Sequence, residues 1–567
     1  MCGIFSLLNH PSDSLDSIKC EFEKGKNRGP EFSILVTDYS KIVLGFHRLA
    51  INGLNTKSNQ PIVINDIILI CNGEIYNYKQ LYKFMNVIPE TDSDCEVIIH
   101  LFLKYGIKQT LIMLDGVFSF VLYDNRVCNL NKTLYIARDP FGVRPLYYLK
   151  NVHNKYNFFN LYGFASDLKC LSNFYNSNTY QYSINQFTPG TYSRFDLSDS
   201  VNSIWEPAYE NIRYFTSSFP YTLNFQDNNE LDILNEIYTK IAYYLNAAVS
   251  KRCLTTERPI ACLLSGGLDS SLITALVNNF YKLNNYDKQL ETYSIGLVGS
   301  EDLKNARIVA DYLGTKHTEI IVTEKEMFEA IPEVIYSIES YDTTTIRASI
   351  GNYLLGKYIA KNSEAKVIFN GDGSDELFGG YLYMNKCPDD IEFDKESRRL
   401  LQDIHLFDVL RSDKSISSHG LEPRTPFLDR SFVNYCLSIP AYFRNHKNTN
   451  NCEKFLLRHS FCNLKFKDFK DRQILPDEIL WRKKEAFSDG VSCSGRSLYT
   501  ILQEQISVKL NDTTTYDANI DTEKHYYKSL FLQFYPTCEN IIPYYWMPKY
   551  TNATDPSART LDIYTIV

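Results

Sequence analysis

The sequence predicts two domains of different class: an α+β half rich in antiparallel strands, then an α/β half built on a parallel sheet. Three observations lead there. A chain of 567 residues exceeds what one hydrophobic core accommodates. Up to about residue 205 short apolar runs are separated by polar turns, whereas beyond residue 231 they alternate with helical stretches, the pattern of a parallel sheet covered by helices. Between the two, 213–230 is polar and aromatic without periodicity, as a linker is. The expected boundaries are a first domain over 1–205, a linker over 206–230, a second domain over 231–530 and a tail over 531–567.

In the first half, 67–71, 117–123 and 133–137 read as strands. The segment 94–105 sets Val97, Ile98, Leu101 and Phe102 at helical spacing behind Asp92 or Ser93 as a cap. In the second half 231–248 reads as a helix, 259–264 as a strand ending in Ser-Gly-Gly, and 270–277 as the helix after it. Further strands are expected over 292–296 and 366–370. The asparagine-rich stretches near Asn284 and Asn448 read as solvated loops, and there is no internal repeat.

Composition narrows the function classes. The net charge of -8 is spread along the chain with no run of lysines and arginines, so small-molecule partners are expected rather than nucleic acid or a membrane surface. The 14 cysteines include no CxxC pair and the 10 histidines no HExxH, so neither a disulfide framework nor a zinc site on one helix face is indicated. No basic leader with an apolar core and no long apolar run is present, so the cytoplasm is the expected location.

The chain opens Met-Cys-Gly-Ile-Phe. Removal of Met1 leaves a thiol and a free α-amine on one residue, and an α-amine titrating near ~7.7–8.0 can take the thiol proton without a histidine. An isolated cysteine would be an ordinary small strand residue; Cys2 is distinguished by its company. A thiolate attacking an amide needs oxyanion donors, which Asn72 and Gly73 can supply at the end of an apolar strand. Arg48 can grip an α-carboxylate and Asp94 can accept from an α-ammonium, together describing a free amino acid.

Leu264-Ser265-Gly266-Gly267-Leu268-Asp269-Ser270-Ser271 lies where a strand turns into a helix. Free amides and the positive end of the helix dipole suit phosphate there, with the hydroxyls of Ser265, Ser270 and Ser271 donating and Asp269 able to hold Mg²⁺. No GxxxxGK[ST] occurs, so a Walker-type ATPase is unsupported. A second strand runs into the acidic loop 370–376; read as an EF-hand, it puts Asp375 where the turn glycine belongs, which excludes that fold.

The strings MCGIF, NRGPE, HRLAI, NGEIYN, SDCE and ARDPFG, in that order over the first 200 residues or so, resemble class II glutamine amidotransferase domains with an N-terminal nucleophile. The resemblance implies an αββα sandwich of four layers, with Cys2 as nucleophile and Asn72 and Gly73 as oxyanion donors. It sets Arg48, Leu49, Ala50, Ile51, Asn52, Asn72, Gly73, Glu74 and Asp94 around glutamine. This chain has Asn27 and Glu31 in the string that is commonly HRGPD, and Asp167 where FASE is common. The Ser-Gly-Gly string resembles the pyrophosphate loop of the ATP pyrophosphatases, which share an adenine nucleotide α hydrolase-like fold and release AMP and pyrophosphate.

The segments 341–349, 422–429 and 481–490 resemble the glutamine-hydrolysing asparagine synthetases. That resemblance implies ATP as a substrate contacting Leu264, Ser265, Gly266, Gly267, Asp269, Ser270, Ile295, Asn370 and Gly371, with Mg²⁺ on Asp269 and Asp375. It sets Thr344, Thr345 and Arg347 near the reacting phosphate, Lys484 on the departing pyrophosphate, Asp372 beside the intermediate, and Asp408 and Arg411 at further family positions. L-aspartate and L-glutamine are the other substrates implied, and a homodimer is compatible with it. The family pattern SGEGSDE has a Glu where this chain has Asp372, one methylene shorter. Two other readings stay open: a relative that amidates or cyclises another carboxylate, and a non-catalytic relative whose altered site is Asp372. The stretch beyond about residue 510 carries no motif.

Overall fold

The computed structural model describes residues 1–10, 15–39, 41–126, 132–151, 160–175, 182–198, 203–216, 229–449, 452–462, 473–485, 487–492, 496–511 and 517–561. Residues 217–228 of the expected linker, Ala486 of the Lys484 segment and the last residues of the tail lie outside them.

Twelve strands among the described residues make up the first half. They are β1 (Gly3–Leu8), β2 (Phe32–Tyr39), β3 (Ile42–Arg48), β4 (Ile62–Ile64), β5 (Ile67–Ile75), β6 (Gly116–Asp124), β7 (Thr133–Arg138), β8 (Tyr147–Asn151), β9 (Tyr162–Ala165), β10 (Tyr182–Gln186), β11 (Thr191–Leu197) and β12 (Trp205–Arg213). They pair into two six-stranded antiparallel sheets, in the orders β10-β8-β9-β1-β3-β2 and β12-β11-β7-β6-β5-β4. Ile4, Leu44 and Phe46 of one sheet pack with Ile70, Val121 and Ile136 of the other, so the sheets stack face to face on alternating apolar positions. Helices Tyr78–Met85 and Val97–Met113 cover the outer face of the second sheet, with Leu81, Ile98 and Leu101 buried against Leu69 and Phe120. Ser93 caps a 3₁₀ turn ahead of the longer helix, its Oγ accepting from the Cys95 amide at 3.3 Å. Strand β12 lies in the stretch assigned to the linker and pairs with β11. Its exposed polar side chains hide it from a reading based on apolar runs, because backbone bonding to a neighbour defines an edge strand.

The second half holds a five-stranded parallel sheet, β15-β14-β13-β16-β17, of β13 (Ile260–Leu263), β14 (Glu291–Gly296), β15 (Lys316–Ile321), β16 (Val367–Phe369) and β17 (Glu422–Arg424). The order reverses at β13, and the loops after β13 and β16 leave neighbouring strand ends, the usual place for a ligand in such a sheet. Helix Leu268–Leu283 follows β13 directly, with Leu272, Ala275 and Leu276 buried on it. No helix of the described residues is long and apolar enough to cross a membrane.

Candidate active sites

Cys2 precedes β1, half-buried, with its Sγ 3.6 Å from the Leu49 carbonyl. Burial raises the thiol's pKa and lowers that of the buried Met1 amine to about 5, so with Met1 in place the thiol is held protonated. Ser166 ties the strand after Cys2 to the expected oxyanion residue: its Oγ accepts from the Ile4 amide at 3.1 Å and from Asn72 Nδ2 at 3.3 Å. Gly73 faces Phe118 across β5 and β6. The Phe118 carbonyl accepts from the Asp139 amide at 2.8 Å and its amide donates to Asp139 Oδ2 at 3.3 Å. Both Phe118 groups therefore point toward β7, the Gly73–Phe118 pair is not hydrogen-bonded, and the Gly73 amide faces away from β6. A Cβ at Gly73 would lie 2.4 Å from the Val117 carbonyl, so this approach requires glycine.

Asn52, Glu74 and Asp94 converge. Asn52 Nδ2 donates to Glu74 at 2.6 Å and reaches Asp94 at 3.4 Å, while Asp94 also accepts from the Ile75 amide at 2.6 Å. Burial pushes the Asp94 carboxyl up to about 6 and, with Asp94 and Glu422 adding repulsion, lifts Glu74 well above the usual range. Arg48 differs from expectation: its Nη atoms donate to the Asn52, Gly53 and Asn55 carbonyls and to Asn59 Oδ1. All four of its Nη hydrogens are thereby engaged in shaping the 52–59 loop, leaving only Nε–H. Leu49, Ala50 and Ile51 form the backbone rail between: the Ala50 amide donates to Glu31 at 2.7 Å and the Ile51 carbonyl accepts from the Glu257 amide at 3.0 Å.

In the second half the Ser265 and Ser270 hydroxyls lie 3.0 Å apart, and the Gly267 amide reaches Ser265 Oγ at 3.4 Å. Gly266 has φ 72°, and a Cβ there would meet the backbone of Asn305 and Ala306 at 2.4 Å. Gly371 brings the second loop equally close: its Cβ would lie 2.8 Å from Asp269 Cβ. The two loops thus meet, Ser374 Oγ donating to Asp269 at 2.7 Å. Leu264, Ile295, Asn370, Thr344 and Arg347 line the same cavity as Asp269 and Asp375.

Two lysines bridge the carboxylates. Lys454 Nζ lies 2.5 Å from Asp269 and 2.7 Å from Asp375, and Lys484 lies 2.7 Å from Asp375 and 3.7 Å from Asp269. Despite burial, Lys454 and Lys484 hold Asp375 below the usual carboxylate range, and its charge in turn raises Lys484. Asp372 pairs with Arg411 at 3.3 Å, and Arg411 with Asp408 at 2.6 Å, so the shorter carboxylate still reaches a cation in the cavity wall. Arg347 is committed to Glu523 and Asp555.

Helix Asp408–Ser417 joins the two sites. Its first turn carries Asp408 and Arg411; further along, Asp413 accepts from Arg28 at 2.8 Å and Lys414 lies 2.5 Å from Asp167 and 2.6 Å from Glu339. Arg28 also donates from Nε to the Cys2 carbonyl at 3.1 Å. The Asp167 that departs from FASE is therefore a hub of ion pairs rather than only a turn residue. From β17, Arg424 reaches Glu74 at 3.4 Å.

A glutamine amidotransferase domain model matches residues 1–224, and an asparagine synthase model matches 240–392 and 385–549. The asparagine synthetase [glutamine-hydrolyzing] of Gallus gallus is 40% identical over all of this chain and 99% of its own length, and that of Homo sapiens likewise 40% identical over 100% and 99%. The chain belongs to the glutamine-hydrolysing asparagine synthetases. Among solved structures, the NH3-dependent NAD synthetase from Campylobacter jejuni aligns with 25% of this chain and 60% of its own at 20% identity and a TM-score of 0.18, too weak a likeness to bear on the fold.

Several residues of this synthetase's sites escaped the reading of the sequence. Lys454 stands alone ahead of the helix Phe455–Cys462, and nothing in its neighbours announces two carboxylates. Asp302 lines the cavity beside Arg482 at 3.2 Å, with burial lifting its carboxyl to about 7. Trp546, Ser557 and Leu561 come from the stretch that carried no motif.

Proposed function

We propose that this chain forms L-asparagine in two coupled half-reactions. At the first site Cys2, freed of Met1, attacks the amide of glutamine with its own α-amine as base, and Asn72 Nδ2 and the Gly73 amide bind the oxyanion. Glu74 and Asp94 face the substrate ammonium, and Arg48 contributes through Nε–H and through the loop it shapes. Water then releases glutamate from the thioester, and ammonia passes inward. At the second site the β-carboxylate of aspartate attacks the α-phosphorus of ATP, releasing pyrophosphate, and ammonia displaces AMP from the resulting acyl-adenylate.

The Ser265–Ser270 loop binds the phosphates, Leu264, Ile295, Asn370 and Gly371 hold the adenosine, and Lys454 and Lys484 neutralise charge on the departing pyrophosphate. Two carboxylates that converge within 2.7 Å of one ammonium suit a Mg²⁺ carried with substrate phosphates. Asp269 and Asp375 would hold the ion, which supplies further charge neutralisation. We assign residues 1–205 with β12 to an N-terminal-nucleophile sandwich and 231–530 to the adenylating domain.

The observations that carry this reading are the Ser166 bridge between the strand after Cys2 and Asn72 and the meeting of the Ser265–Ser270 loop with a lysine-bridged carboxylate pair. Purified protein with ATP, Mg²⁺, aspartate and either glutamine or ammonium is expected to yield asparagine, AMP and pyrophosphate. Cys2→Ala should lose only the glutamine-dependent product. ADP in place of AMP, or no asparagine from either nitrogen source, would refute it.

A further inference from the structure

Helix Thr343–Asn362 presents Thr344, Thr345 and Arg347 to the nucleotide cavity, and much of what fixes them comes from residues 519–561. Asp342 caps that helix, holding the Thr345 amide and hydroxyl at 2.8 Å, and its other oxygen accepts from the Trp546 amide at 2.8 Å. Thr344 Oγ1, by contrast, has no hydrogen bond among the described residues, which leaves it for a ligand.

Arg347 is gripped from two sides. Glu523, fully buried on helix Ile520–Phe534, accepts from Nε at 2.9 Å and Nη2 at 2.5 Å; Asp555 accepts from Nη1 at 2.7 Å and Nη2 at 2.8 Å. A guanidinium has five N–H groups, and these four bonds leave one, on Nη1. Two carboxylates around one cation bury surplus negative charge, which is costly unless further donors share it. Gln503 Nε2 bonds both, at 3.1 and 3.0 Å, and the Ser557 amide donates to Asp555 at 2.8 Å. The same stretch secures the Lys484 segment, Ser557 Oγ bonding Asp489 at 2.9 Å and Arg559 Nε bonding Glu485 at 3.1 Å. A tail that only covered apolar surface would have no use for this arrangement.

We propose that residues 519–561 form a strap completing the adenylating site, in which Asp555 and Glu523 are positioning residues that aim the remaining Arg347 N–H, beside Thr344, at the negative charge that develops on the reacting phosphate as the acyl-adenylate forms. The strap deepens the synthetase reading and rests on it. Asp555→Asn in the full chain keeps the volume but turns an acceptor toward donation, releasing one side of Arg347. With ammonium as nitrogen source, kcat for asparagine should fall about 10²-fold, the scale of a misplaced reacting group, while KM for ATP and glutamine hydrolysis at Cys2 hold.

Asp555→Glu should recover part of the loss, and Asp555→Asn added to Arg347→Lys should cost little more than Arg347→Lys alone. Glu523→Gln reads the other side of the clamp if Asp555→Asn lowers the melting temperature. Unchanged kcat in either carboxamide variant, or additive losses in the double variant, overturns the strap. Wild-type protein forming neither AMP nor asparagine overturns instead the synthetase reading beneath it.

Discussion

Lys454→Met removes the ammonium that separates Asp269 from Asp375 and leaves its apolar stem. Lys454 is 1% exposed and lies 2.5 and 2.7 Å from the two carboxylates, which are themselves 15% and 21% exposed. Removing one member of a buried ion pair costs about 3–5 kcal/mol. Lys484 remains at 2.7 Å from Asp375 and Ser374 at 2.7 Å from Asp269, so the lower end, about 3 kcal/mol, is expected here. For a unit of this size that lowers the melting temperature by roughly 6 °C. AMP formation should fall by at least about 10²-fold, because a cation facing the phosphates is gone, while Cys2-dependent glutamate release persists. A divalent cation can then take the charge between the carboxylates, so added Mg²⁺ should raise the melting temperature of the variant more than that of the wild type. Thermal denaturation with and without Mg²⁺, run beside an AMP assay, reads all three. A variant that melts like the wild type and forms AMP at the wild-type rate would refute the role given to Lys454.

Asp94 is neutral below its raised pKa of about 6 and charged above it, so KM for glutamine should climb about tenfold per pH unit as pH falls below that value; Asp94→Asn should abolish this pH dependence. Gly371→Ala drives a Cβ to within 2.8 Å of Asp269 Cβ, and overpacking of that kind costs about 1–3 kcal/mol. It should separate the two nucleotide loops and suppress AMP formation while glutamine hydrolysis continues. Asp413→Asn weakens the Arg28 contact at 2.8 Å that ties helix Asp408–Ser417 to the Cys2 carbonyl. More glutamate than asparagine should then appear in a stoichiometry assay, and a ratio equal to the wild type's would show that the helix does not couple the sites.

The local elements were legible where adjacent residues carry their own physics. The strand, Ser-Gly-Gly turn and helix from Ile260 to Leu283 follow from an apolar run, glycines that permit the turn and a helix start, all within one short window. Cys2, Asn72 and Gly73 lie far apart along the chain, and the family resemblance of the strings that carry them is what joined them. Helix 94–105 emerged in outline, although the structure extends it to Met113 through a break at Gly106, where φ is 74°.

Contacts between distant segments were not legible, because an ion pair's sequence separation leaves no local signature. Asp555 is 208 residues from Arg347 and Lys454 is 185 from Asp269. Arg48 shows the same limit in reverse: its charge suggested a substrate grip, yet nearby carbonyls claim its Nη hydrogens. The sequence by itself determined the family, through strings of adjacent residues, and the strand, turn and helix at the Ser-Gly-Gly string, since those depend on residues close along the chain. Only the tertiary structure decided which charges neutralise which, how helix Asp408–Ser417 runs between the two candidate sites, and that Trp546, Ser557 and Leu561 line the second cavity, since only folding brings those groups together.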